Sequence, residues 1–179
     1  MKKDFKIAIS GRSGCGNTTV SKMVSDTLKL RFINFTFRSL AQERDMDFTE
    51  ILALAAKDDF WDREVDTRQV QIAREKGGCV LGSRLAIWLL KEADLKIYLD
   101  AKAQTRAKRI ALREGGDYKE IAVFTAERDR QDHERYLHLY GIDTDYHAFV
   151  DMVIDTDDLT PQEITDMIVN KAKSMGEKK

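Results

Sequence analysis

One nine-residue stretch, Gly11-Arg12-Ser13-Gly14-Cys15-Gly16-Asn17-Thr18-Thr19, limits what this chain can fold into. It follows a short apolar run, Phe5 to Ile9, that reads as a strand. It precedes a helical pattern with Val20, Met23, Val24, Thr27 and Leu28 on one face. Strand, glycine-rich loop and helix are the setting of a phosphate-binding loop, G-x-x-x-x-G-K-[ST]. Gly11 and Gly16 hold its two glycine positions, and Gly14 adds freedom. Glycine permits the tight path on which successive N–H groups turn toward an anion. The unpaired N–H groups that begin a helix favour the same ligand. Gly11 through Thr19 is therefore the expected triphosphate site, with Thr18 at the hydroxyl position that holds Mg²⁺. One position departs: Asn17 stands where the pattern has lysine. An amide donates hydrogen bonds but sets no charge against the β- and γ-phosphates. Arg12 is the only cation within the loop. Either it turns to those phosphates in place of lysine, or it points to solvent as mid-loop side chains do. Cys15 also has two readings. The helix start lowers its pKa and makes it oxidisable, or it is a small residue that fits the loop, which is favoured.

Beyond the loop, the hydrophobic pattern alternates between strand and helix. Arg31 to Phe37, with Phe32, Phe35 and Phe37, reads as a second strand, and Ser39 to Arg44 as a charged helix. Asp47, with Glu50 three residues on, caps a helix whose apolar face is Ile51, Leu54 and Ala55. A helix from Trp61 to Lys76 offers Trp61, Val65, Ile72 and Ala73 to a core and ends at Gly77-Gly78. Cys79 to Leu81 and Leu95 to Leu99 read as buried strands. Ala103 to about Leu139 reads as a long charged helical region interrupted at Gly115-Gly116. Val150 to Ile154 is a last strand. Thr160-Pro161-Gln162-Glu163 starts a final helix with Ile164, Met167, Ile168 and Ala172 buried, and the tail Gly176 to Lys179 is expected to fray. Such alternation predicts a parallel sheet with helices on both faces. The loops at the strand C-termini then share one edge, which brings the first loop, Arg38 and Ser83-Arg84 together.

Composition narrows the partners. Lys and Arg number 30 against 31 Asp and Glu, a formal net charge of -1. That gives no overall electrostatic reason to bind nucleic acid or an anionic membrane. No apolar run approaches membrane-spanning length, and the run after Met1-Lys2-Lys3-Asp4 is too short for a signal peptide. Cys15 and Cys79 form neither a disulfide framework nor a metal spacing, and His133, His138 and His147 show no ligand pattern. A cytoplasmic protein acting as a monomer on small molecules is expected.

Arginine placement suggests which small molecules. A planar guanidinium grips phosphate oxygens bidentately, and phosphoryl transfer needs charge neutralisation and alignment above all. Arg38 follows the second strand and Arg84 the third. Arg128 and Arg135 lie seven apart on one helical face with Asp132 between them, either as site residues or as part of a solvated, salt-bridged helix. Arg106 and Arg109 are either stacking surfaces for a base or ordinary helix surface.

In this order and spacing, the chain resembles the nucleoside monophosphate kinases, most closely the short form of cytidylate kinase. The resemblance runs through the first loop, Phe37-Arg38, Asp62 to Gln69, Ser83-Arg84-Leu85-Ala86, Ala93 to Leu99 and Arg106 through Gly115. It continues through Arg135-Tyr136, Tyr140 to Asp143 and Asp151 to Thr156. It implies an α/β fold with a five-stranded parallel sheet of the P-loop type, helices on both faces. It further implies one kinase domain, with core 1–36, 77–112 and 148–179, a monophosphate-binding insertion at 37–76 and a lid at 113–147. ATP is the implied donor, Mg²⁺ the cofactor and CMP or dCMP the acceptor. Arg38 and Arg84 resemble arginines that hold the acceptor phosphate. Arg128 and Arg135 resemble lid arginines that clamp the transferring group, with Arg84 taking part in catalysis as well. Asp132 resembles the acid that contacts the acceptor sugar, and Arg106 and Arg109 resemble residues beside the donor base. Three departures stand out: Asn17, Gly82 where related kinases carry an acid, and Asn34-Phe35-Thr36 in place of a Ser-x-Gly turn. They keep two alternatives open: a nucleotide-binding or sensing protein that has lost the chemistry, and a kinase for another small acceptor.

Overall fold

The computed structural model describes residues 2–75 and 77–176. Its strands are β1 (Lys6–Gly11), β2 (Arg31–Ile33), β3 (Cys79–Gly82), β4 (Leu95–Asp100) and β5 (Met152–Asp155). They form one parallel sheet in the order β2-β3-β1-β4-β5. Side chains on a strand alternate between faces, so the sheet builds two cores. Ile7, Ile9, Val80, Ile97 and Leu99 meet Val20 and Val24 of α1 (Asn17–Leu28) and Ile164 and Ile168 of α8 (Pro161–Gly176). On the opposite face, Ala8, Leu81 and Tyr98 meet Val70 and Ala73 of α4 (Phe60–Glu75) and Ala86 and Ile87 of the short α5 (Ala86–Leu89). A third cluster lies off the sheet. It joins Leu40 and Ala41 of α2 (Phe37–Arg44), Ile51 of α3 (Phe48–Ala55) and Val65 of α4.

The predicted second strand is too long. It stops at Ile33, and Phe37 already begins α2. Thr36 caps that helix reciprocally: its hydroxyl accepts from the Ser39 N–H at 3.3 Å, and Ser39 Oγ accepts from the Thr36 N–H at 3.2 Å. Phe35 and Phe37 read as strand residues because they are apolar and alternate, but they are half-buried against the third cluster and not in the sheet. Asp47 caps α3 as expected, accepting from the Thr49 N–H at 2.7 Å. The long charged region divides into α6 (Ala103–Glu114) and α7 (Tyr118–Tyr140). Gly115 and Gly116 supply the break with φ of 77° and 100°, in the left-handed region where glycine is favoured. On α8, Ile164, Ile168 and Ala172 are buried, but Met167 is 41% exposed, and Thr27 on α1 is exposed too. Both lie on the flank of the stripe, not on it. Lys76 and the tail beyond Gly176 lie outside the described residues. Among those described, no helix is long and apolar enough to cross a membrane.

The sheet positions the site. β1 and β3 pair directly, Ile9 opposite Gly82, so the loops leaving their C-termini emerge side by side.

Candidate active site

The loop after β1 turns at Gly14 and Gly16, with φ of 86° and 98°. A Cβ on Gly14 would stand 2.8 Å from the Arg106 carbonyl. Gly16 is the N-cap of α1; no side chain caps that helix and its first turn carries no acid. Its opening N–H groups are thus left for an anion. Asn17 fastens the loop, its Nδ2 donating to the Gly11 carbonyl at 2.7 Å. Cys15 is 1% exposed, and burial pushes its thiol up to about 11. The packing role is therefore the one the structure supports, and the helix-start effect on its acidity is overridden. Arg12 is exposed, lines the cavity and pairs with Asp145, from the segment after α7.

A cavity of about 460 Å³ extends from this loop to α4. Thr18, Thr19, Phe35, Phe37, Arg84 and Arg128 line it, with Asp62, Asp66 and Gln69 from α4, Arg113 from α6 and Tyr136 from α7. Arg84 is held from several sides. It donates to Ser13 Oγ at 2.7 Å and pairs with Asp132, and its charge opposes the burial that raises the Tyr136 phenol. Ser10 sets the turn that carries it, donating to the Ser83 carbonyl at 2.9 Å and accepting from the Ile87 N–H at 3.1 Å. Arg128 converges on the same place. Its charge is disfavoured first by burial and then by Arg84, and is supported by Asp132. Burial raises the Asp132 carboxyl, against the pull of Arg84 and Arg128. The loop, Arg84 and Arg128 thus share one cavity, while Asp132 pairs with Arg84 from the neighbouring hollow and does not itself line that cavity.

Other predicted residues sit elsewhere. Arg135 pairs with Asp62 and donates to the Ala55 carbonyl at 3.3 Å; it borders a neighbouring hollow and not the main cavity. Arg38 lays its guanidinium over the Phe48 ring, 4.2 Å from the centroid, and does not reach the cavity lining. Arg106 is 2% exposed. It donates to the Ser13 carbonyl at 3.1 Å and the Ala101 carbonyl at 3.2 Å, and meets Asp129 at 2.7 Å. Arg109 reaches Thr156 Oγ1 at 3.0 Å and the Gly14 carbonyl at 3.5 Å. Arg106, turned under the loop by α6, is too buried to offer a flat face to a base, while half-buried Arg109 stands beside the loop and braces it.

Sequence reasoning missed Arg113, although its spacing of four from Arg109 places it on the same face of α6. It also passed over Asp66, Gln69 and Tyr136 as individual site residues, and no spacing signal singles them out. Asp66 accepts from the Tyr140 hydroxyl at 2.8 Å and from Gln69 Nε2 at 2.9 Å, and burial raises its carboxyl to about 6. Gly82 now has a reason. A Cβ there would stand 2.5 Å from Ser21 Oγ, so β3 packs too closely on α1 for any side chain. Nor did spacing show that ligand atoms of His133, Asp143 and Asp145 gather within 4.8 Å of one another.

Residues 6–158 match the model of the cytidylate kinase-like family. A protein named cytidylate kinase 2 from Borreliella afzelii is 47% identical over 92% of this chain and 94% of its own length. The cytidylate kinase of Pyrococcus horikoshii is 41% identical, over 92% of this chain and 86% of its own. Among solved structures, a shikimate kinase from Bacteroides thetaiotaomicron superposes with a TM-score of 0.64 at 15% identity, covering 97% of this chain and 98% of that one. That likeness concerns the fold alone.

Proposed function

The chain belongs to the cytidylate kinase-like family and is a nucleoside monophosphate kinase, and we propose that it transfers the γ-phosphoryl group of ATP to CMP or dCMP, releasing ADP. The observation that carries this reading is the convergence of Arg84 and Arg128 on the cavity that the glycine loop opens into. In-line transfer needs the donor phosphates and the acceptor oxygen held together while charge shifts between them. The loop N–H groups receive the β- and γ-phosphates. Arg84 and Arg128 spread their charge over the transferring group and the acceptor phosphate, in a setting where fixed cations act strongly. Asp132, held by Arg84 from the neighbouring hollow, reaches the acceptor sugar as α7 moves with Arg135. Arg135 joins once α7 shifts toward the cavity, and Arg38 takes part by leaving the Phe48 ring. In this reading 37–76 is the monophosphate-binding insertion and 113–147 the lid over a single core.

Mg²⁺ fits the residues present. Thr18, which carries a hydroxyl, lines the cavity at the start of α1, and this ion takes few protein ligands beside phosphate oxygens and water. It supplies charge neutralisation across the donor phosphates when bound. The deciding experiment is ADP release measured with a panel of nucleoside monophosphates. Turnover dependent on CMP or dCMP is the expected result. ATP binding without turnover on any acceptor, or turnover only with a different one, overturns the assignment.

A further inference from the structure

We infer that Asp66 and Gln69, on the α4 wall of the cavity, read the base of the acceptor nucleotide through an exocyclic amino group. The inference rests on the proposed acceptor class and adds the residues that select it. Gln69 is 2% exposed yet lines the cavity. Its Nε2 donates to Asp66 Oδ1 at 2.9 Å, whereas its Oε1 is buried with no hydrogen-bond partner among the described residues. An unsatisfied buried amide oxygen is costly and rare enough to need an explanation. A flipped amide does not remove it. Turning Gln69 over would set its oxygen against a carboxylate, two acceptors face to face. The carboxylate therefore fixes which end of the amide is free, and the Tyr140 hydroxyl, 2.8 Å from Asp66 Oδ2, fixes the carboxylate.

What remains unfilled on this wall is mainly acceptor capacity, Gln69 Oε1 and the spare lone pairs of Asp66, beside one N–H of the Gln69 amide that Asp66 does not use. Phe35, Phe37 and Val65 line the same cavity and offer apolar surface to a flat ring. The complementary ligand is a planar base that brings N–H donors. The 4-amino group of cytosine brings two, whereas uracil presents a carbonyl there and meets acceptor with acceptor. A site built to bond a particular group rejects analogues lacking it far more strongly than an apolar pocket does. Because the contact is to the base, it serves ribose and deoxyribose acceptors alike. Asp66 and Gln69 are three apart and so share one face of α4.

The test compares kcat/KM of the wild-type enzyme for CMP, UMP and the 2-pyrimidinone ribonucleoside monophosphate, which is CMP without its amino group. We expect CMP to exceed both by at least about 10-fold. In Gln69→Leu the CMP:UMP ratio should fall by about 10-fold or more, while the KM for ATP stays unchanged. In Asp66→Asn the ratio should move toward UMP, since an amide at 66 lets Gln69 turn its N–H groups to the base. Equal kcat/KM for CMP and its amino-free analogue overturns the inference, as does an unaltered ratio in a folded Gln69→Leu enzyme. Should that variant not fold, Asp66→Asn decides in its place: an unaltered CMP:UMP ratio there overturns the inference. Absence of any CMP turnover by the wild type removes the proposed function itself, and this inference with it.

Discussion

Asn17 shows how a loop without its lysine keeps its shape. The amide closes on the Gly11 carbonyl instead of reaching outward. Asn17→Ala should lose about 1 kcal/mol of stability by urea titration and raise the KM for ATP, because the loop amides lose their fixed direction. Gly82 makes a similar point about space. Gly82→Ala should cost about 1–3 kcal/mol, partly recovered by Ser21→Gly, because Ser21 is what the new methyl would meet. Asp66 carries a pH signature. Burial raises its carboxyl to about 6, helped by Asp62, while Tyr140, Gln69 and Arg135 oppose the shift. An acid whose folded pKa is raised contributes stability at low pH that is lost as pH rises through the folded value. Asp66→Asn removes that loss. Its stability relative to wild type should therefore improve by about 2 kcal/mol between about pH 4.5 and 7.5. A flat difference across that range would show that Asp66 titrates normally.

Among the elements, α7 satisfies both readings of its charges, one on each face. Arg130 pairs with Glu127 at 2.7 Å and with Glu134 at 2.6 Å on the exposed side, as a solvated helix does. Arg128 lines the cavity, and Asp132 pairs with the cavity arginine Arg84. Arg128→Ala should lower kcat by about 10²–10³-fold, while Arg130→Ala leaves it unchanged. Similar losses in both would mean that the helix acts only as a scaffold. Helix α6 has a different task, with Arg106 tying the loop backbone to Asp129 of α7. Arg106→Met keeps the length of the side chain but strands the partly buried Asp129 carboxylate, and should destabilise the protein by about 2 kcal/mol in a denaturant titration. The spacing of Arg106, Arg109 and Arg113 was legible as a common face. That this face lies under and beside the loop was not, since it depends on how α6 crosses the sheet.

Across the whole molecule, ion pairs join the α7 region to the rest. Arg84 with Asp132, Arg135 with Asp62, and Arg12 with Asp145 link it to the loop after β3, to α4 and to the glycine loop. Nucleotide phosphates compete for these same arginines. Binding should therefore exchange internal carboxylates for substrate and draw α7 inward, with Gly115, Gly116 and Gly141, all at positive φ, as the pivots. Amide exchange across Tyr118–Tyr140 should slow when a bisubstrate analogue is added. Equal protection with and without it would rule out closure.

The amino-acid sequence by itself determined the glycine loop, its flanking strand and helix, the caps at Asp47 and Thr160, the break at Gly115-Gly116 and the parallel sheet. Each follows from spacing between near neighbours or from period-two and helical burial, so a short window contains the cause. Only the tertiary structure decided that Arg84 and Arg128 meet at the cavity while Arg38, Arg106, Arg109 and Arg135 stand off its lining. It alone left no room at position 82, raised Asp66 and left an oxygen of Gln69 unbonded. Those outcomes depend on distances between residues far apart in the chain, which are set by how helices cross a sheet and not by any local pattern.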